Sequence, residues 1–314
     1  MSSTITNLDP QSALFLANLN IVQKDISQAS EQVSSGLKIT VASDAPDQIG
    51  TLLQLRANLQ RNTQIQSNLT LAQTDANAAD NALQSSIQLM ESAMTLATQG
   101  ATSTTDASTR TSLALQIQSI QQQMVANSQT TVQGRYVFSG DNDGSPAYQW
   151  DSTAANPVVS LAAAGTTPQS TRRIEDPAGG SFAASLTAQQ IFDDQDTTTG
   201  GAATDNVFNA LTTLQQALEN NDTAGIANSI TLLQAASAHL NTMDSFYGNV
   251  QDQIQNANTY ASNYGVQLQT QIGNTEDADI TSAALELTQG NTQLQAAMQM
   301  QGQRPHTSLF SYLG

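Results

Sequence analysis

The chain has 314 residues, only 11% of them charged, and 26 acidic against nine basic residues give a formal net charge of −17. A chain this acidic has no electrostatic footprint for nucleic acid or an anionic membrane surface, so neither is expected as a partner. It contains no cysteine, which excludes disulfides and thiolate metal sites, and no apolar run approaches the roughly 18 residues of a membrane span.

The opening Met1-Ser-Ser-Thr-Ile-Thr has neither a basic stretch nor an apolar core, so no cleaved secretory signal is expected. Positions Ile5, Leu8, Ser12, Phe15, Leu19, Val22, Ile26, Ala29 and Val33 then follow alternating spacings of three and four. All but Ser12 are apolar, which is a coiled-coil seam on a long helix. Ser34-Ser35-Gly36 breaks it, with Gly36 suited to the left-handed residue after a helix end. After Pro46 a second seam runs through Leu69, Ala72, Ala76, Ala79, Leu83, Ser86, Met90, Ala93 and Ala97. A loop is expected from Gly100 to Thr109, and a third helical pattern, Leu113, Ile117, Ile120 and Met124, ends near Gly134.

From about Arg135 the texture changes. Tyr136-Val137-Phe138 reads as a short strand and Gly140 to Gly144 as a turn, while Pro146, Pro157, Pro168 and Pro177 punctuate the stretch with Gly179-Gly180 and Gly200-Gly201. Helical spacing returns after Thr204, with Val207, Leu211, Leu214 and Leu218, then Ile226, Ile230 and Leu233 onward to about Ile272. A last seam carries Ile280, Ala284, Leu287, Leu294 and Met298, with Asn291 at one polar seam position of the kind that fixes register. The chain closes on Leu309-Phe310-Ser-Tyr312-Leu313.

The predicted fold is mainly α: long terminal coiled-coil helices and an antiparallel helical bundle, with a central β-rich inserted domain. The expected division is 1–42 with 276–314 as a terminal-helix domain, 43–135 with 205–275 as a helical rod, and 136–204 as the insert. Apolar seams left in water forfeit roughly 25 cal/mol per Å², so the ends should be covered by other copies. The expected assembly interface comprises Ile5, Leu8, Phe15, Leu19, Val22, Ile26, Val33, Ile280, Ala284, Leu287, Leu294, Met298, Leu309 and Leu313. An ordinary helical-bundle core is the other reading of these stripes, and a frayed tail that of 309–313.

No catalytic constellation is evident, and no catalytic, cofactor-binding or metal-ligating residue is assigned. His239 and His306 are the only histidines, with no ligand partner near either in sequence. Asp141 to Ser145 echoes a calcium loop but has Ser152 where a bidentate glutamate belongs. Asp193-Asp194-Gln-Asp196 reads as loop, and Glu276-Asp277-Ala-Asp279 as a helix N-terminus, where negative charge is stabilised.

Several segments resemble the bacterial flagellin family. Glu31-Gln-Val-Ser-Ser-Gly36, Lys38-Ile39 and Ser43-Asp44-Ala-Pro46 are similar to the turn after that family's first helix, and Ala82-Leu-Gln-Ser85 with Leu96 to Ala101 to the next. Gln267-Leu268, Glu276 to Asp279 and Gln293 to Ala297 resemble its C-terminal helix. Gly134 to Gly140 and Ser308 to Leu313 are most like the branch of the family that joins hook to filament. The resemblance covers roughly 1–140 and 205–314.

It implies an extracellular structural component of the bacterial flagellum, serving motility and assembling helically through its end helices. The partners it implies are itself, the hook-side junction protein, flagellin and an export chaperone, with no cofactor and no enzymatic activity. Filament flagellin is the alternative within the family, and a soluble non-flagellar coiled-coil protein the alternative outside it. One departure concerns the animal innate receptor for flagellins. Where that recognition uses two arginines and a glutamate, this chain has Ser92, Met94 and Thr95, so weak or no recognition is expected.

Overall fold

The computed structural model describes residues 10–154, 156–162, 168–196 and 198–303, with side chains from residue 13. It is mainly α. Among the described residues the helices are α1 (Pro10–Ser35), α2 (Pro46–Ala101), α3 (Ala107–Ser128), α4 (Ala188–Phe192), α5 (Val207–Glu219), α6 (Thr223–Glu276) and α7 (Ile280–Gly302). Six short strands, β1 (Thr131–Val132), β2 (Arg135–Tyr136), β3 (Tyr148–Trp150), β4 (Val158–Ser160), β5 (Arg173–Glu175) and β6 (Ser181–Ala183), form three separate antiparallel pairs. Two compact units result: Asn62–Tyr264, and Met1–Arg61 with Gly265–Gly314.

The unit Asn62–Tyr264 holds a continuous core. Every position of the second seam is buried, from Leu69 to Ala97. Leu113, Ile117, Ile120 and Met124 on α3, and Val207, Leu211, Leu214 and Leu218 on α5, join them. On α6 the stripe Ile226, Ser229, Leu233, Ala236, Leu240, Tyr247, Val250, Ile254, Ala257 and Ala261 keeps the three-four spacing, with Ser229 fully buried at the position where Ile230 was expected. The Asn62 amide donates to the Ala261 carbonyl at 2.8 Å, and Asp80 on α2 neighbours Asp244 on α6, so α2 and α6 run antiparallel here.

Gly100 lies inside α2, not in a loop. A Cβ there would fall 2.5 Å from Leu218 Cδ2 and 3.6 Å from Leu113 Cδ1, so the bare glycine leaves room for these leucines of α3 and α5 to close over it. Arg110 locks this corner from a buried site: its guanidinium donates to the Gly100 carbonyl at 2.8 Å, the Thr102 carbonyl at 3.0 Å, and Asn221 Oδ1.

Helix α3 stops at Ser128, short of Gly134. Gln133 and Gly134, with φ of 51° and 77°, form the two-residue turn between β1 and β2, the left-handed pair that matches hairpin twist. The expected strand through Phe138 ends at Tyr136, because Phe138 turns inward, fully buried. Its ring meets Phe192 at 5.8 Å and Tyr247 at 6.3 Å, both edge-on, and Phe208 joins Phe192 and Tyr148. The Tyr247 hydroxyl accepts the Leu186 amide at 3.1 Å. Hairpins and helices of this unit therefore share one aromatic-centred core.

Candidate assembly surface

The other unit starts from α1, which Gly36 ends with φ of 75° and its amide bonded to the Gln32 carbonyl. The turn that follows is held by Asp44, whose carboxylate accepts the amides of Val41 and Thr40, both at 2.9 Å, and the Thr40 hydroxyl. Those backbone donors, Val41 first, hold its carboxyl below the ordinary aspartate range. Lys38 N donates to the Glu276 carbonyl at 2.6 Å, Ala278 N to the Gly36 carbonyl at 2.9 Å, and Leu37 bridges Asp277. Two of the segments that carry the sequence resemblance, Glu31–Pro46 and Glu276–Asp279, thus meet across some 240 residues of chain. Buried Glu276 pairs with Arg56, and Ile39 is buried beside them.

Asp279 caps α7, accepting Thr281 N at 2.9 Å, Ser282 N at 3.3 Å and the Ser282 hydroxyl at 2.9 Å. These bonds, the Ser282 hydroxyl first, lower its pKa, as expected for a carboxylate at a helix N-terminus. Helix α7 then returns along α1. On α1 the residues turned from solvent are Phe15, Leu19, Val22, Ile26 and Ala29. On α7 they are Ala283, Leu287, Gly290, Leu294 and Ala297, small and large side chains alternating. Gly290 is the close point: a Cβ there would lie 2.6 Å from Ile26 Cγ1.

This stripe shares Leu287 and Leu294 with the sequence-predicted seam and lies one position earlier at Ala283, Gly290 and Ala297. Asn291 is exposed, so it does not set the register of this pair, and Gly290 takes the buried place. Ile280, Ala284 and Met298 sit about 60–100° round the helix from the α1-facing stripe and are exposed, as is Val33. Phe15, Leu19, Val22, Ile26, Leu287 and Leu294 are partly buried on these two packed helices. Ile5, Leu8, Leu309 and Leu313 lie outside the described residues.

Fourteen large hydrophobic side chains are exposed among the described residues. Eleven lie in this unit: Leu14, Leu16, Ile21, Val33, Val41, Leu53, Val266, Ile280, Leu285, Met298 and Met300. Only Leu115, Leu161 and Tyr260 lie in the larger one. Buried hydrophobics run the other way, with just Ala29, Ile39, Leu52, Leu268 and Ala283 in the terminal unit. Single exposed apolar residues are ordinary, but a thin core beneath so many of them makes this face the candidate interaction surface.

The bacterial flagellin N-terminal helical region matches residues 7–143, and the bacterial flagellin C-terminal helical region matches residues 230–313. The chain belongs to the bacterial flagellin family. Both matched regions contain the helices that carry the exposed apolar surface. Among solved structures, a candidate flagellar hook-associated protein of Vibrio parahaemolyticus is similar, with a TM-score of 0.62 at 19% identity over 74% of this chain and 100% of that one. FlgL of Xanthomonas campestris gives 0.52 at 17% over 69% and 99%, and FlgL of Bacillus cereus 0.51 at 17% over 73% and 100%. At these identities the likeness is one of fold. No curated protein matches the chain by sequence.

A second polar cluster, in the larger unit, ties hairpins to helix. Arg172 pairs with Asp143 at 2.7 Å and Asp75 at 3.5 Å, and Arg135 reaches both acids at 3.4 Å. Burial raises the Asp75 pKa against the pull of the two guanidiniums. Asp141, read from sequence as part of a loose calcium echo, instead accepts the Thr171 amide at 2.9 Å. His239, on the face of α6, has Asp194 and Asp205 beside it, neighbours its place in the sequence does not show.

Proposed function

We propose that this flagellin-family chain is the structural adaptor that joins the flagellar hook to the filament, inserted into the axial tube through α1 and α7. The observation that carries the reading is the imbalance of the terminal unit, which among the described residues exposes eleven large apolar side chains over five buried ones. Neighbouring subunits would cover that surface. Contacts of a head-to-tail kind that do not close on themselves build open helical arrays, which suits a segment of a tube. The fold likeness to FlgL and to a hook-associated protein favours the junction over the filament.

On this reading the partners are further copies of the chain, the hook-side junction protein below and flagellin above. A chaperone would shield the apolar end helices before export to the cell exterior. The terminal segments 1–42 and 276–314 would line the tube. Gene deletion separates the adaptor from filament flagellin. Loss of the adaptor should leave complete hooks with flagellin shed into the medium, restored by the gene in trans. Complete junctions with nothing beyond them and no shed flagellin would assign the chain to the filament instead.

A further inference from the structure

We propose that Asp194, Asp205 and His239 form a binding site for one divalent transition-metal ion of the zinc type. The inference is independent of the assembly role. One side-chain atom from each residue lies within 4.8 Å of the other two, and His239 Nδ1 is 3.3 Å from Asp205 Oδ2. The His239 side chain is only 11% exposed.

The ring's other nitrogen fixes the chemistry. Nε2 is 2.9 Å from the backbone carbonyl of Gln190. A carbonyl only accepts, so Nε2 carries the proton. In the neutral imidazole Nδ1 is then a bare lone pair facing two carboxylates, three acceptors with no donor among them. Such a site calls for a cation. A backbone carbonyl that orients the imidazole from its far nitrogen is the usual support for a metal-bound histidine.

The frame holds the ligands in place. Gln190 is in α4, near whose end carbonyls lack intrahelical partners. Asn206, the N-cap of α5, donates to the Asp194 carbonyl and to Asp193 Oδ1, each at 2.8 Å, and the Ala203 amide also reaches the Asp194 carbonyl. Asp193 is itself occupied by the Tyr148 hydroxyl at 2.8 Å.

One imidazole and two carboxylates, with a fourth position for water, suit tetrahedral zinc. Bonds of about 2.0–2.2 Å put neighbouring tetrahedral ligands roughly 3.3–3.5 Å apart, close to the 3.3 Å between His239 and Asp205. Calcium takes about 6–8 oxygen ligands and magnesium keeps an octahedral water shell, so neither suits this set. A bound ion would pin the segment 193–206 to α6.

The test is calorimetric titration of ZnCl2 into the chelator-treated full chain and into His239→Gln, Asp205→Asn and His306→Gln. Glutamine at 239 retains a donor for the Gln190 carbonyl, and Asp205→Asn tests the site without touching α6. Wild type and His306→Gln should bind one zinc per chain and melt higher with zinc, with no saturable heat from MgCl2. His239→Gln and Asp205→Asn should bind at least about tenfold more weakly. Zinc binding that is absent, or undiminished in both variants, overturns the site.

Discussion

Gly290 governs how near α1 and α7 approach, because Ile26 occupies the space a side chain would need. Gly290→Val should therefore destabilise the terminal unit by about 1–3 kcal/mol, the usual range for overpacking. Ile26→Ala in the same chain should recover part of that loss, and urea melts of the two single variants and the double variant read the coupling directly. Asp244 shows the opposite economy. Burial, then the hydrogen bond and charge of Asp80, push its carboxyl pKa up. A raised carboxyl pKa means the folded state holds the proton more tightly, so this contribution is full below the ordinary aspartate value and lost as pH rises through the folded one. Asp244→Asn should raise the melting temperature at pH 7 and change it less at pH 4. At the positions where the resemblance puts the receptor-binding arginines and glutamate, the Ser92 and Thr95 hydroxyls are bonded to the carbonyls of Gln88 and Glu91, and Met94 is half-buried. Purified monomer should accordingly activate the animal innate flagellin receptor weakly or not at all; activation at ordinary flagellin potency would refute it.

At the scale of elements, the seams differ in how far sequence alone reaches. All nine positions of the α2 seam are buried, because the period of one helix is local and its apolar residues coincide with its contact face. On α7 the two diverge. Hydrophobicity selects Ile280, Ala284 and Met298, while the face on α1 uses Ala283, Gly290 and Ala297. Glycine carries no hydrophobic signal, and only the bulk of Ile26 across the interface explains it. The same limit hides His239, whose partners come from segments 34 and 45 residues away in sequence. Local chemistry was readable at the caps: Gly36 and Asp279 end and start helices as their types dictate.

The element caps also set an acid response. In the terminal unit Asp44 and Asp279 have lowered pKa values, so their stabilisation holds above the unfolded value and fades as pH falls through it. In the larger unit the lowered values of Asp106, Asp151 and Asp196 are countered by the raised ones of Asp75 and Asp244. Acidification should weaken the terminal unit first. Thermal melts at pH 3.5 should show helix loss by circular dichroism before the fluorescence of Trp150, which lies in β3 of the larger unit, responds. Coincident transitions would contradict this.

In the whole molecule, on the proposed function, neighbouring subunits complete the terminal unit. The larger unit is self-sufficient, with an extensive core linking its helices and hairpins. The terminal unit holds its turn and caps together by backbone bonds, yet leaves apolar flanks of α1 and α7 in solvent. Polar substitution of exposed residues ordinarily shifts monomer stability by no more than about 0.5 kcal/mol, so such changes isolate assembly from folding. The most direct measurement is immunogold electron microscopy of a deletion strain complemented with Ile280→Glu/Met298→Glu, beside the control Leu115→Glu on the larger unit. The double variant should be exported and melt like wild type but be missing from flagella, while the control is incorporated. Normal incorporation of the double variant would contradict it.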